Sequence, residues 1–196
     1  MISKPWQPRD NTDGGAKIDM RKLILSNITT PSVLDCFAGE GKIWTQCYKD
    51  MPYVGLDRKA ISDGRTVLNI DNIKYLRSAD LTRFNVFDLD AYGSPWHQFM
   101  IVLKRRKLKA DERVAIFLTD GLSILTRLGN LPTGMKKYVG IPAKMRVPCL
   151  SRHMDYIRAL VVVNAVREAG AGIERALITR NSRGNMVYMG LLIKKT

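Results

Sequence analysis

Phe84-Asn-Val-Phe-Asp-Leu-Asp-Ala-Tyr-Gly-Ser-Pro-Trp96 is the stretch whose reading decides the fold. It opens as a short run of apolar and aromatic β-formers at Phe84, Val86 and Leu89, and it stops at the Gly93-Ser94-Pro95 punctuation, where a helix starts. A strand followed at once by a helix puts Asp88 and Asp90 at the strand's carboxyl end, the place where open α/β sheets hold ligands. Two carboxylates there, followed by a small, sharply turning loop through Tyr92, suit a site for a cationic or proton-releasing group beside a flat ring. The same acids also fit a strand end that merely faces water, and the neighbouring segments bear on the choice.

Working outward, the pattern repeats on both sides. Upstream, Ser32 to Gly41 reads as a buried strand running into a glycine loop, with a helix over Lys42 to Tyr48. Pro52 to Asp57 is a second strand, with a helix beginning over Arg58 to Ser62, and Thr66 to Ile70 a third, with a helix over Asp71 to Leu76. Downstream come a helix from Pro95 to about Lys107, a strand over Arg113 to Asp120, and an irregular basic insertion at about 129–150. Met154 to Ala169 is the strongest helix pattern, stopped by Gly170. Strands over Glu174 to Arg180 and Asn185 to Ile193, joined through Asn181-Ser-Arg-Gly184, close the chain as a hairpin. Alternating strands and helices predict a three-layer α/β Rossmann-like fold, a mostly parallel sheet with terminal antiparallel pairing. A short helix over Lys17 to Ile28 precedes the sheet, and residues 1–15, rich in Pro, Gly and Asp, read as an arm in which Trp6 can dock. Residues 16–196 are expected to form one domain.

Composition narrows the partners. Lys and Arg outnumber Asp and Glu by 32 to 18, a formal charge of +14 that concentrates polyanions on the surface. The cations cluster at Lys104-Arg105-Arg106-Lys107, Lys109 and Arg113, and again at Lys136, Lys137, Lys144, Arg146 and Arg152, which favours nucleic acid over a merely solvated surface. No basic amphipathic helix carries the apolar face that an anionic membrane would need. Cys36, Cys47 and Cys149 lack zinc spacing and are odd in number, so they read as reduced thiols. With no apolar leader and no membrane-length apolar run, the chain is expected to be soluble and cytoplasmic.

Asp35-Cys-Phe37-Ala-Gly39-Glu-Gly41 sets two glycines where strand turns to helix, so backbone can approach a ligand without an intervening side chain. A GxG alone is not specific, but Asp57 ends the next strand, where an acid accepts hydrogen bonds from ribose hydroxyls. The dinucleotide fingerprint would want a third glycine where Trp44 stands, which sets NAD and FAD behind. S-adenosylmethionine, having no phosphate, tolerates this loop. Asp71 and Asn72 at the third strand's end can meet an adenine amino group, although Asp71 equally suits a helix N-cap.

The glycine loop resembles the first motif of Rossmann-like methyltransferases. Three further stretches resemble the tRNA guanine-N2 methyltransferases: Asn69-Ile-Asp71-Asn-Ile-Lys-Tyr-Leu76, the central Phe84 to Pro95, and the late helix from Tyr156 with its sequel Ile173-Glu-Arg-Ala-Leu. Lys137-Tyr-Val-Gly-Ile-Pro142 and His153 are similar to that family's substrate-side segment. Its Asp-Pro-Phe/Tyr-Gly-Ser-Pro motif matches here at Asp90, Tyr92, Gly93, Ser94 and Pro95, with Ala91 departing. The loop through Phe37 and Gly41 is closer to general DNA and RNA methyltransferases, and the family continues into a carboxyl-terminal RNA-gripping domain where this chain stops.

The resemblance implies methyl transfer to an exocyclic amine of nucleic acid, guanine N2 of a structured RNA before adenine N6 of DNA. A noncatalytic RNA-binding protein on the same scaffold is the third reading. It implies cofactor contacts from Asp35, Phe37, Gly39, Gly41, Asp57, Asp71, Asn72 and Asp88. Asp90 would accept from the amine, Tyr92 stack on the base, and Asp88 serve as a second carboxylate. Ser94 and Pro95 would shape the substrate side, with Lys104, Arg105, Arg106, Lys136, Lys137 and Arg146 on its phosphates. A protein partner in place of the missing domain is the corresponding expectation, and no metal site is expected.

Overall fold

The computed structural model describes residues 14–121 and 123–196. Seven strands form one sheet: β1 Val33–Asp35, β2 Tyr53–Asp57, β3 Val67–Asn69, β4 Val86–Leu89, β5 Arg113–Asp120, β6 Ala171–Arg180 and β7 Val187–Lys195. Their order is β3-β2-β1-β4-β5-β7-β6. β1 to β5 pair in parallel, while β7 runs antiparallel to both β5 and β6. The carboxyl ends of β1, β2, β4 and β5 therefore share one edge, with the order reversing between β1 and β4.

Period-two alternation sorts the strand residues onto two faces. Leu34, Phe87, Leu89, Val114, Ile116 and Leu118 belong to the core under α2 (Asn72–Ser78), α3 (Trp96–Arg105) and α6 (Met154–Glu168). Val33, Val86, Ala115 and Phe117 belong to the core under α1 (Gly14–Leu25). By the same alternation Asp35 and Asp88 point to the α1 side, side by side in register.

α1 begins earlier than the Lys17 start read from the sequence, and its buried stripe mixes apolar and cationic residues. Lys17, Met20, Arg21 and Ile24 are buried at helical spacing, while Leu23 is 52% exposed. Two of the stripe's positions are cations because two carboxylates wait opposite them. Gly14 and Gly15 lie in this helix, and the remainder of the expected arm, residues 1–13 with Trp6, lies outside the described residues.

Three other expectations change. The segment Arg58 to Ser62 forms no helix, because only nine residues separate Asp57 from Val67, too few for a helical crossover of about a dozen. The helix after the glycine loop closes as a π-helical turn, Trp44–Tyr48. The basic insertion contains α5 (Thr133–Tyr138), after the short α4 (Ser123–Arg127), and ends in a 3-10 turn over Leu150–His153. Among the described residues no helix is long and apolar enough to cross a membrane.

Candidate active site

The site is built at the carboxyl edge of β1, β2 and β4. At its centre the neighbouring carboxylates Asp35 and Asp88 would repel each other in a buried setting, and the fold resolves this unequally. Asp88 takes a bidentate grip from Arg21, 2.7 Å from both Nε and Nη2, and a third hydrogen bond from the Tyr48 hydroxyl at 2.6 Å. Arg21 and Asp88 are each about 1% exposed, so this pair is an internal strut. The Arg21 guanidinium also lies 5.2 Å from the Phe117 ring centroid. Nothing of Asp88 faces a ligand, which sets this geometry against its expected cofactor and catalytic contacts.

Among the described residues no cation pairs with Asp35. The Phe37 amide donates to its Oδ1 at 3.0 Å and the Tyr53 hydroxyl to its Oδ2 at 2.9 Å. Burial, and then the Asp88 charge, push its carboxyl up to about 7. It underlies the glycine loop, where Gly39 has φ +43° and Gly41 φ +75°.

The two glycines serve different ends. A Cβ on Gly39 would meet only the Phe37 carbonyl, at 3.7 Å, which leaves the backbone open to a ligand. On Gly41 it would fall 2.7 Å from the Arg65 guanidinium carbon. Arg65 donates to the Ala38 carbonyl at 2.8 Å and the Gly39 carbonyl at 2.7 Å, and it pairs with Asp63 at 2.6 Å. It is the brace of the loop. Asp57 adds a tie from the other side, accepting from the Gly39 amide at 3.1 Å and the Lys59 amide at 2.8 Å. It remains half-buried at the end of β2.

Asp71 is the N-cap of α2, accepting from the Lys74 amide at 3.1 Å, and it pairs with Arg58 at 2.5 Å. Those hydrogen bonds hold its carboxyl below the usual range. Asn72 is also bound within the fold: its amide donates to the Cys36 carbonyl at 2.9 Å and accepts from Gln98 at 3.1 Å.

Asp90 sits just past β4. Lys17 holds both its oxygens, at 2.6 and 2.8 Å, and Arg21 lies 3.9 Å away. Burial works against ionisation here, but the Arg21 and Lys17 charges outweigh it and keep the carboxyl below its ordinary range. Beyond it Ala91 is buried and Gly93, at φ +120°, turns the loop. The Gly93 carbonyl accepts from the Gly121 amide at 2.6 Å, fastening the loop to the end of β5. Tyr92 is thrown outward, 87% exposed, as a ring with open faces. Ser94 and Pro95 lead into α3, which is anchored by the fully buried Trp96.

The expected phosphate contacts scatter. Arg105 donates to the Leu76 and Ala79 carbonyls at the end of α2, and the buried Arg106 donates to the Phe84 and Lys107 carbonyls and pairs with Glu112. Lys136 is buried, its amine on the Ala143 and Met145 carbonyls, and Lys137 pairs with Glu168 at 2.6 Å. Lys104 and Arg146 remain exposed. His153 is exposed in the 3-10 turn. Sequence reasoning missed Lys17, Arg21, Tyr48, Tyr53 and Arg65. A legible signal existed for the first two, since Lys17 and Arg21 share the face of Met20 and Ile24 at i, i+4 spacing.

No protein-family model matches the chain, and no curated protein sequence matches it. Among solved structures it is similar to Trm1 from Pyrococcus horikoshii in complex with S-adenosyl-L-methionine, with a TM-score of 0.59 and 14% identity. That match covers 94% of this chain, which spans 56% of the other. A second similar structure is the 1,6-didemethyltoxoflavin-N1-methyltransferase of Burkholderia thailandensis with S-adenosylhomocysteine bound, at a TM-score of 0.55 and 17% identity over 94% of this chain and 80% of that one. A third is M. jannaschii TYW2 in complex with AdoMet, at 0.50 and 11% over 99% and 80%. The fold is accordingly the Rossmann-like methyltransferase fold.

Proposed function

We propose that this chain is an S-adenosylmethionine-dependent methyltransferase acting on an exocyclic amine of nucleic acid, guanine N2 of a structured RNA foremost. The observation that carries the reading is Asp90: an ionised, nearly buried carboxylate held beside an outward aromatic, Tyr92, one strand from a glycine loop.

The loop suits a cofactor without phosphates. Gly39 leaves backbone uncovered, Asp57 stands half-exposed at the end of β2 for ribose hydroxyls, and Asp35 lies beneath the turn. When bound, S-adenosylmethionine supplies an electrophilic methyl on a sulfonium. Asp90 accepts a hydrogen bond from the amine, which localises the nitrogen lone pair and offsets the positive charge that grows on it. Tyr92 offers a stacking surface that holds the base flat. Gly93 and its bond to Gly121 keep that loop fixed, so positioning supplies much of the acceleration. For Asp90 to receive the amine, Lys17 must yield at least one oxygen. The surplus of Lys and Arg favours a nucleic acid over a small molecule. A partner protein supplying further RNA grip, and a cytoplasmic setting, belong to the same proposal.

Lys17 favours one second reading. Because it occupies both oxygens of Asp90, the protein would bind nucleic acid without catalysis if that pair never opens. Calorimetric titration of S-adenosylmethionine into the wild type and an Asp57→Ala variant tests the cofactor site, with saturable binding expected in the first and lost in the second. Labelled methyl transfer to RNA and to DNA, with Asp90→Asn as control, then separates the substrates. Cofactor binding without transfer to either would refute catalysis on nucleic acid, and no cofactor binding at all would refute the enzyme reading.

A further inference from the structure

We propose that the amino-terminal edge of the sheet, opposite the edge that carries Asp90, is a second contact surface for the phosphodiester backbone of a nucleic acid. The topology gathers cations there that lie far apart in sequence. Lys104 lies in the last turn of α3, Lys107 and Lys109 follow it in the loop to β5, and Lys194 and Lys195 end β7, with Lys194 in register opposite Arg113. All five lysines are exposed.

Their charge is only partly compensated: Asp111 stands exposed beside Lys109, and the other nearby acids pair with other cations. Glu112 is taken by Arg106, Glu168 by Lys137 and Glu174 by Arg113. Among the described residues none of the five amines has a carboxylate within 4.0 Å. The carboxyl edge differs. There Asp88, Asp90, Asp63, Asp71 and Asp120 each have a Lys or Arg partner, while Asp35 and Asp57 have none among the described residues. Five exposed lysines thus lie away from the reacting groups.

β5 spans eight residues. At about 3.3 Å each, the two edges are roughly 25 Å apart. The lysines cannot touch phosphates flanking a base at Asp90, so they position a long ligand by contacts remote from it. A lipid surface fits less well, because the segments carrying these lysines expose no large apolar side chain and Leu108 packs against the core. The inference shares only its partner's chemistry with the proposed function and does not depend on methyl transfer.

The test is the triple variant Lys104→Gln/Lys107→Gln/Lys109→Gln in the full chain, binding a labelled oligouridine RNA over a salt series by fluorescence anisotropy. Each lost phosphate contact should flatten the plot of log affinity against log salt by about 0.7, so the triple variant should lose about 2 from the slope. Circular dichroism and S-adenosylmethionine binding should match the wild type. An unchanged slope in a folded variant would overturn the proposal, as would wild-type protein that ignores RNA but binds phosphatidylserine vesicles, or binds neither. Loss of slope in a protein that shows no methyl transfer would leave this surface standing and remove only the enzyme reading.

Discussion

Arg21→Met is the substitution that probes this architecture most directly. It removes two 2.7 Å hydrogen bonds to Asp88 and one of 3.0 Å to the Lys17 carbonyl, while its apolar stem can still pack. Asp88 would be left 1% exposed with only the Tyr48 hydroxyl and with Asp35 as its neighbour in the sheet. Breaking a buried pair from one side costs about 3–5 kcal/mol, because the remaining charge has no compensation. Domains have only about 5–15 kcal/mol in total, so a large fraction of the stability is at stake. With a urea m-value of about 2 kcal/mol/M, the midpoint should fall by roughly 1.5–2.5 M. The double variant Arg21→Met/Asp88→Leu removes both charges and should recover most of the loss, since a buried ion pair is often no better than an apolar one of similar volume. A single variant costing under about 1 kcal/mol, or a double variant no better than the single, would refute the view that α1 is locked to the sheet by this charge pair.

Other consequences can be measured separately. Because Asp35 has a folded pKa of about 7 against an ordinary 3.8, the native state retains a proton that the unfolded chain has released. Its contribution therefore weakens stability as pH rises from about 4 to about 7 and is flat above that. Asp35→Asn, in which the Tyr53 hydroxyl can turn to accept, should abolish that slope and be the more stable protein at pH 8; an unchanged slope in urea titrations would count against the assignment. Gly41→Ala meets both φ +75° and the Arg65 guanidinium, so about 1–3 kcal/mol of strain and weakened S-adenosylmethionine binding are expected, read by urea melts and calorimetry. Tyr92→Ala should leave the urea midpoint unchanged, as the ring is 87% exposed, yet weaken RNA binding by about 1–3 kcal/mol if the ring stacks on a base.

The alternation of strand and helix patterns with a closing hairpin predicts the observed sheet, and the reason is local. Strands such as Val86–Leu89 and Arg113–Asp120 are short apolar runs with clear stops, and each stop is followed by helix-compatible sequence. Register and neighbour were not local. That Asp35 lies beside Asp88, rather than beside any other strand-end acid, depends on β1 pairing with β4. The sequence therefore offered a row of equivalent acids, whereas the fold divides them by partner: Asp88 is satisfied by Arg21, Asp71 caps a helix, Asp57 ties the glycine loop, and Asp90 is held ionised by Arg21 and Lys17.

The cationic run Lys104 to Lys109 makes the same point from the surface side. As a run it was one basic patch, but Arg105 and Arg106 bend back onto carbonyls and Glu112 while the lysines around them stay in water. Sequence by itself determined the alternating strands and helices, the glycine turn and the net charge, because these depend on neighbours along the chain and on composition. Tertiary structure alone decided which acid meets which cation and which cations of a run stay in water, because a charge interacts through space with groups that chain order does not bring together.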